Sequence, residues 1–393
     1  MTDTRPCVLL VLEATFPREG GGGAESQVFT LARCLAARGL RIVVVVPRVA
    51  EGPQALRETI EHFEVVRIPY PRTRVLGGIV LLARLAALLV AWRGRYSAIH
   101  AHIAHNMAAT STVVGRLLGK PVFVKITGVH EIHGGILDPR PRLSVRLRRW
   151  ALRRATRMQA TSTRISRLLV DRGFGPAQVA LLPNGVDTAR FARRSRNAAL
   201  RGELCGDAPR VGIFVGRLSP EKALFLLLDA WARAFDPRAC LLLVGEGPLR
   251  DELGARAREL GIASQVVFAG HRADVGDLLS TADFAILPSH GEGLSNALLE
   301  YMAAELPVVG SRVSGTEDFV EAAHGWLFEP GDGAGLERAL RAVSAMPDAD
   351  LRRMGLAARD RVESLASLDA VTGRLLSLYG LEPAGPLAAA QAA

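Results

Sequence analysis

Two segments of this 393-residue chain carry residue types that could hold a diphosphate and the hydroxyl groups beside it. In Gly216-Arg-Leu-Ser-Pro-Glu-Lys222, two cations sit on what reads as a strand-to-helix turn. Arg217 supplies a planar fork and Lys222 a point charge, the two usual ways to grip phosphate. A helix starting there would add backbone N–H groups aimed at an anion. The chain has three lysines against 46 arginines, and Lys222 is the only lysine in the last 268 residues. In Glu292-Gly-Leu-Ser-Asn-Ala-Leu-Leu-Glu300, two carboxylates flank the expected start of a helix near Leu294. Gly291 and Gly293 let the backbone approach a ligand. The N–H groups of Gly293, Leu294, Ser295 and Asn296 would point the same way. On that reading Glu300 lies about two turns inside the helix, roughly 10–12 Å from Glu292 at 1.5 Å per residue. That is about the span from sugar to ribose in a nucleotide-sugar. The plainer alternatives are a surface Arg, a surface Lys and a solvated carboxylate.

Such groups need strand ends and helix starts to hold them. Val8–Leu12, Ile42–Val46, Val65–Ile68, Ala98–Ala101, Val122–Ile126, Met158–Thr161 and Val179–Leu182 predict strands. Ala24–Arg38, Gly77–Arg93, Asn106–Leu118, Leu143–Arg154 and Arg164–Arg172 predict helices between them. The pattern restarts with strands at Val211–Val215, Cys240–Val244, Val266–Phe268, Phe284–Leu287, Val308–Val309 and Trp326–Phe328. Its helices are Lys222–Ala234, Pro248–Leu260, Leu294–Ala304 and Ala334–Val343. Alternation of this kind implies parallel sheets covered on both faces, with ligands at the carboxyl ends of the strands. Two domains are expected at this length, since single cores rarely grow past about 250–300 residues. We place them at 1–188 and 210–367, joined by a polar, Arg-rich linker at 189–209. A helix over about 368–380 can pack back on the first domain. The Ala/Pro-rich tail 382–393 is expected to be disordered.

The charge is divided unevenly. Residues 1–200 hold 31 Lys+Arg against 12 Asp+Glu, and residues 201–393 hold 18 against 27. A basic first half points to an anionic surface or substrate. Nucleic acid is disfavoured, because aromatic residues make up only 5% and no recognised module is present. The four cysteines, Cys7, Cys34, Cys205 and Cys240, are widely spaced and read as buried thiols of a reducing compartment. No signal peptide is evident, and the best apolar run, Gly77–Trp92, is short of the about 20 residues a membrane span needs. The expected location is cytoplasmic, with peripheral membrane contact open.

The two opening segments together resemble the signature of the retaining glycosyltransferases of family 4 (glycosyl transferases group 1), the second being that family's Glu-x7-Glu motif. Supporting matches are Gly21-Gly-Gly-Ala-Glu25, Pro183-Asn-Gly-Val-Asp187, Gly245-Glu-Gly-Pro248 and Phe268-Ala-Gly-His-Arg272. The six run in family order from about residue 7 to residue 330. The resemblance implies an α/β fold of two Rossmann-like doubly wound domains facing across a cleft, known as GT-B. It implies transfer of a sugar from a nucleotide-sugar to a hydroxyl of a glycan or lipid-linked acceptor. In that scheme Arg217 and Lys222 bind the donor diphosphate, Glu292 contacts donor-sugar hydroxyls, and Glu300 holds the ribose. Gly216 and the backbone from Gly293 to Asn296 complete the phosphate and sugar pocket. Gly245, Gly247, His271 and Arg272 would face the base, and Gly22 and Gly23 would reach across toward the phosphates. Fixed donors aimed at the departing phosphate are often the largest catalytic term. No cofactor or metal is then expected, and the leaving phosphate would help deprotonate the acceptor in a front-face substitution.

Five of the nine histidines fall between His100 and His133. Zinc is disfavoured, because no acidic or Cys partner lies at ligand spacing. Core or solvated histidines and an acceptor pocket both stay open. Family relatives place a His after the strand Val122–Ile126; here Thr127 holds that place and Gly128-Val-His130 follows. His130 is our first choice for a catalytic histidine, with His102, Thr127 and His133 as acceptor contacts. Arg140–Arg157 contains eight arginines with Leu143, Leu147, Trp150 and Leu152 on an expected apolar side, a pattern that can lie on an anionic membrane. Competing readings are an epimerase or phosphorylase of the same fold, and a non-catalytic nucleotide-binding protein. A dinucleotide oxidoreductase is disfavoured, because the loop at Gly20–Gly23 lacks Gly-x-Gly-x-x-Gly spacing.

Overall fold

The computed structural model describes residues 5–17, 22–49, 55–73, 75–132, 134–192 and 197–381; for Val129 and His130 it describes the backbone alone. Gly21, His133 and the tail 382–393 lie outside the described residues. The chain divides into two compact units, one of residues 1–185 with 368–393 and one of residues 186–367.

The first unit runs β1 (Cys7–Leu12), α1 (Gly23–Ala37), β2 (Arg41–Pro47), β3 (Arg57–Ile60), β4 (Phe63–Ile68), α2 (Leu76–Ala91) and β5 (Ala98–His102). It continues through α3 (Asn106–Leu117), β6 (Val122–Lys125), α4 (Val129–Ile132), α5 (Leu143–Leu152), β7 (Arg157–Ala160), α6 (Thr163–Asp171) and β8 (Val179–Leu181). The sheet order is β3-β4-β2-β1-β5-β6-β7-β8. The β3–β4 pair is antiparallel and the other pairs are parallel. The apolar strand runs form because both faces are covered: Leu9 and Val11 face one core cluster, Val8 and Leu10 the other. Strand β3 has no sequence signal of that kind. Its Arg-Glu-Thr-Ile is polar and alternately exposed, as suits an edge strand.

The second unit runs α7 (Ala198–Cys205), β9 (Val211–Val215), α8 (Leu224–Ala234), β10 (Cys240–Val244), α9 (Arg250–Glu259), β11 (Val266–Gly270), α10 (Val275–Thr281) and β12 (Phe284–Leu287). It ends with α11 (Asn296–Ala303), β13 (Val308–Ser311), α12 (Thr316–Phe319), β14 (Gly325–Phe328), α13 (Gly333–Ala345) and α14 (Asp348–Ala366). Its sheet, β11-β10-β9-β12-β13-β14, is parallel throughout. The chain then returns to the first unit as α15 (Leu368–Tyr379), whose Val371, Leu375, Leu376 and Tyr379 are buried with Val8, Leu10 and Phe123.

The stretch 189–209 is more than a linker. It contains α7, where Arg201 donates to the Thr281 carbonyl at 2.5 Å and pairs with buried Asp283 at 3.1 Å. Its apolar Leu200 and Leu204 pack on the second-unit core.

Candidate active site

In the second sheet the strand order reverses between β9 and β12, each with its sequence successor on the opposite side. Ligands of open α/β sheets bind in the crevice outside the carboxyl ends of strands at such a switch point. The loops that leave these two strands are Gly216–Ala223 and Pro288–Ser295, which carry the sequence-predicted cations and the first carboxylate.

The structure joins them directly. The Lys222 ammonium lies 2.6 Å from Glu292 Oε1, with 18% and 14% of the side chains exposed. The Ser289 hydroxyl donates to the same Oε1 at 2.7 Å. The two loops are also tied by the His290 N–H donating to the Glu221 carbonyl at 2.8 Å. Arg217 is exposed at the mouth of the β9 loop. One cation is therefore fixed by a carboxylate and the other is presented to solvent.

The local path differs from a simple strand-to-helix turn. Pro220–Lys222 form a 3-10 turn, and Ala223 takes a left-handed conformation (φ 52°) before α8 begins at Leu224. Lys222 therefore precedes the helix. Helix α11 begins at Asn296, two residues later than expected, and the Ser295 side chain does not cap it. Glu300 is the fifth residue of α11, just over one turn in, so the separation from Glu292 is not a helical rise over eight residues.

Glu300 is no solvated carboxylate. Its side chain is half-buried, and burial pushes its carboxyl up to about 7 against the pull of the Arg190 guanidinium. The folded protein thus holds this proton at pH values where the unfolded chain, at 4.5, has released it. Stability contributed by that proton is full at low pH and declines as pH rises from about 4.5 through about 7, then levels off, by roughly 1–3 kcal/mol. Glu300→Gln should flatten this limb, which thermal melts at pH 5, 6, 7 and 8 would read.

Neighbouring loops are held by close backbone packing. A Cβ on Gly245 would come 2.0 Å from the Gly216 carbonyl, and one on Gly247 2.2 Å from that of Leu218. The Leu218 N–H donates to the Glu246 carbonyl at 2.9 Å, and the Gly245 N–H to that of Gly270 at 2.7 Å. These glycines let the β9, β10 and β11 loops lie side by side. Arg272 is engaged by Asp274 through two hydrogen bonds of 2.7 and 2.5 Å, while His271 is exposed. Gly293 and Leu294 are buried against Gly315, whose φ of 82° no other residue adopts readily. The chain's Asp-x-Asp sequence, Asp348-Ala-Asp350, opens α14, where Asp348 pairs with Arg210 and Asp350 with Arg353, both at 2.8 Å.

Two residues that sequence reasoning missed organise these ends. Tyr301, beside Glu300, is fully buried, and its hydroxyl accepts from the Val215 N–H at 2.6 Å and donates to the Val215 carbonyl at 3.2 Å. It fixes the end of β9 one residue before Gly216. Tyr301→Phe should cost about 1–3 kcal/mol, the penalty for leaving buried polar groups unpaired, and lower the melting temperature by several degrees. In the first unit, buried Glu131 accepts from the Thr127 hydroxyl at 2.9 Å, the Thr127 N–H at 3.2 Å and the Gly128 N–H at 2.9 Å. A carboxylate three or four residues after a glycine turn was the available signal.

The first unit corrects one histidine assignment. His102 is 1% exposed and its ring lies 4.4 Å from that of His100, itself bonded to the Tyr379 hydroxyl at 2.6 Å. Burial, then His100 and the Lys125 amine, keep His102 neutral. It is a core residue and not an acceptor contact. Thr127 is partly exposed but committed to Glu131. Gly22 caps α1 and Gly23 is its first residue. The His130 side chain and His133 lie outside the described residues.

Comparison with known proteins places the chain in a family and a fold. The profile described as "Glycosyl transferases group 1" matches residues 209–345, and "Glycosyltransferase Family 4" matches residues 21–190. The 2-deoxystreptamine N-acetyl-D-glucosaminyltransferase of Streptomyces fradiae is 32% identical over 370 residues, covering 86% of this chain and 85% of that protein. The glycogen synthase of Mycobacterium tuberculosis is 29% identical over 388 residues, covering 91% and 90%. Among solved structures, Anabaena Alr3699/HepE in complex with UDP and glucose superposes with a TM-score of 0.77 at 20% identity, covering 96% of this chain and all of that one. Sucrose-phosphate synthase from Thermosynechococcus elongatus gives 0.77 at 22% identity, covering 96% and 98%. The chain belongs to glycosyltransferase family 4, with the two Rossmann-like units of the GT-B fold and the activity of a hexosyltransferase.

Proposed function

We propose that the protein moves a hexosyl group from a nucleoside-diphosphate sugar to a hydroxyl of a glycan or lipid-linked acceptor, with retention of configuration and without a metal. The observation that carries this reading is the Lys222–Glu292 pair at the switch point, beside exposed Arg217 and the start of α11. Arg217, Lys222 and the backbone N–H groups at Gly293–Asn296 would take the charge that grows on the β-phosphate as its bond to the sugar breaks. Glu292 would accept hydrogen bonds from sugar hydroxyls while holding Lys222 in position. Glu300, once ionised, would accept from the ribose diol. The acceptor oxygen forms the new bond to the anomeric carbon, and its proton passes to an oxygen of the departing diphosphate. Uridine is the first base to try, because the solved neighbour was captured with UDP and another relative is a UDP-Gal transferase of Escherichia coli, 26% identical over 252 residues. The test is transfer in the presence of EDTA, with the anomeric linkage of the product read by proton NMR. Retained configuration without added metal is expected. Inverted configuration, or activity abolished by EDTA and restored by a divalent cation, would contradict the proposal.

A membrane-facing role for the first unit rests on α5. Leu143, Leu147 and Trp150 are 70%, 61% and 56% exposed, among exposed Arg142, Arg146 and Arg154. Leu152 is fully buried, so it belongs to the opposite, core-facing side. Arg149 is spent on the Ile136 and Asp138 carbonyls at 2.7 and 2.6 Å. Helix α2 exposes Leu76 and Ile79, and no helix among the described residues is long and apolar enough to cross a membrane. An amphipathic basic helix of this kind binds anionic headgroups with its apolar residues at the interface. Cosedimentation with phosphatidylglycerol vesicles is expected at low salt, with most of it lost at high salt or in Leu147→Glu/Trp150→Glu. Absence of binding at low salt would end this reading.

A further inference from the structure

Cys205 is the last residue of α7 and Cys240 the first of β10, 35 positions apart in sequence. Their sulfurs are 2.6 Å apart. Two thiols at rest sit farther from each other than this, and only formation of a disulfide brings sulfurs closer, to about 2.05 Å. The approach follows from the packing. Cys240 pairs in register with Val211 on β9, its N–H donates to the Arg210 carbonyl at 2.9 Å, and the C-terminal end of α7 is packed against the same core cluster. Cys205 remains partly accessible while Cys240 is buried. The other two thiols are placed differently. Cys34 contacts the Thr372 hydroxyl at 3.8 Å, and Cys7 is buried in β1 of the other unit.

We propose that Cys205 and Cys240 form a redox site, closed to an intrachain disulfide by low-molecular-weight disulfides and reopened by thiols. The reaction begins at Cys205. The Cys240 S–H donating to it and the nearby Arg201 guanidinium lower its thiol, whereas the contact with Cys205 and burial push the Cys240 thiol up. The Cys205 thiolate attacks a disulfide R–S–S–R, forming a mixed disulfide and releasing one thiol R–SH. Cys240 then gives up its proton and attacks the Cys205 sulfur, forming the Cys205–Cys240 bond and releasing the second R–SH. Two protein thiols are oxidised and one external disulfide is reduced, so electrons and protons balance.

The bond would close a loop that contains β9, the Gly216–Lys222 segment and α8, and so tether β10, the strand paired with β9, to the first helix of the second unit. It lies at the amino end of β10, away from the strand ends that carry Lys222 and Glu292. A cross-link over a loop of this length restricts the unfolded chain and should raise the melting temperature of the oxidised protein by about 5–10 °C.

The experiment is incubation of the wild-type protein with excess oxidised glutathione, followed by alkylation in denaturant and peptide mapping. The expected result is loss of two of the four thiols, a linked Cys205–Cys240 peptide, recovery of all four thiols with dithiothreitol, and the higher melting temperature. Cys240→Ser should retain one glutathione at Cys205 and gain no thermal stability. Four unmodified thiols in the wild type, glutathione retained at Cys205 in the wild type, or a linkage through Cys7 or Cys34 would each overturn the proposal. The mapping is done on unaltered protein, so a poorly folding variant does not decide the outcome.

Discussion

Glu292→Gln is expected to lower turnover by about 10²-fold, the value of exchanging a charge-assisted for a neutral hydrogen bond in the transition state. The amide keeps the shape of the carboxylate but not its charge. Lys222 would then lose the partner that holds its ammonium at 2.6 Å, and donor-sugar hydroxyls would lose their strongest acceptor. A nucleoside diphosphate lacks the transferred hexose, so its affinity should change by less than about threefold in the same variant. Single-turnover rates and nucleotide titrations separate the two effects. Unchanged turnover would remove Glu292 from the site.

The paired variant Arg217→Ala/Lys222→Ala should lose at least about 10³-fold in kcat/KM, since removing one donor aimed at developing charge typically costs about 10²–10³. The two single variants are expected to part company in stability. Arg217 is exposed, and its removal should leave the melting temperature nearly unchanged. Lys222→Ala strands Glu292, whose side chain is only 14% exposed, without its cation. A cost of about 1–3 kcal/mol should appear as a lower melting temperature. Equal melting temperatures for the two variants would mean that the ion pair contributes nothing to the fold of the site.

The strands were legible because parallel sheets buried on both faces demand continuous apolar runs, and Ile42–Val46 and Cys240–Val244 are apolar throughout. Edge strand β3 and helix α7 were not legible. The first is polar, and the second has no buried residue of its own, so periodicity carries little signal. Helix α14 was passed over although Leu351, Gly355, Ala358, Val362 and Ala366 recur at helical spacing; its buried face is made mainly of small residues. Helix starts were misread where backbone chemistry decides them. The left-handed Ala223 delays α8, and the Gly293–Ser295 loop delays α11.

Residue types and spacing identified Arg217, Lys222, Glu292 and Glu300 as a set. They could not reveal that Lys222 and Glu292, 70 positions apart, form an ion pair, or that Glu300 sits where burial favours its protonated form. Those are products of sheet order, which places β12 beside β9. The same holds for Tyr301, whose partner lies 86 positions away, and for the enclosure of His102, which in sequence looked like a strand-end ligand.

The most direct measurement is calorimetric titration of the protein with UDP, GDP and ADP in the presence of EDTA, with Arg217→Ala/Lys222→Ala in parallel. The account predicts that one nucleotide binds selectively without metal and that its binding is lost in the variant. Failure of all three to bind, or equal binding by the variant, would contradict the assignment of the donor site to the loops after β9 and β12.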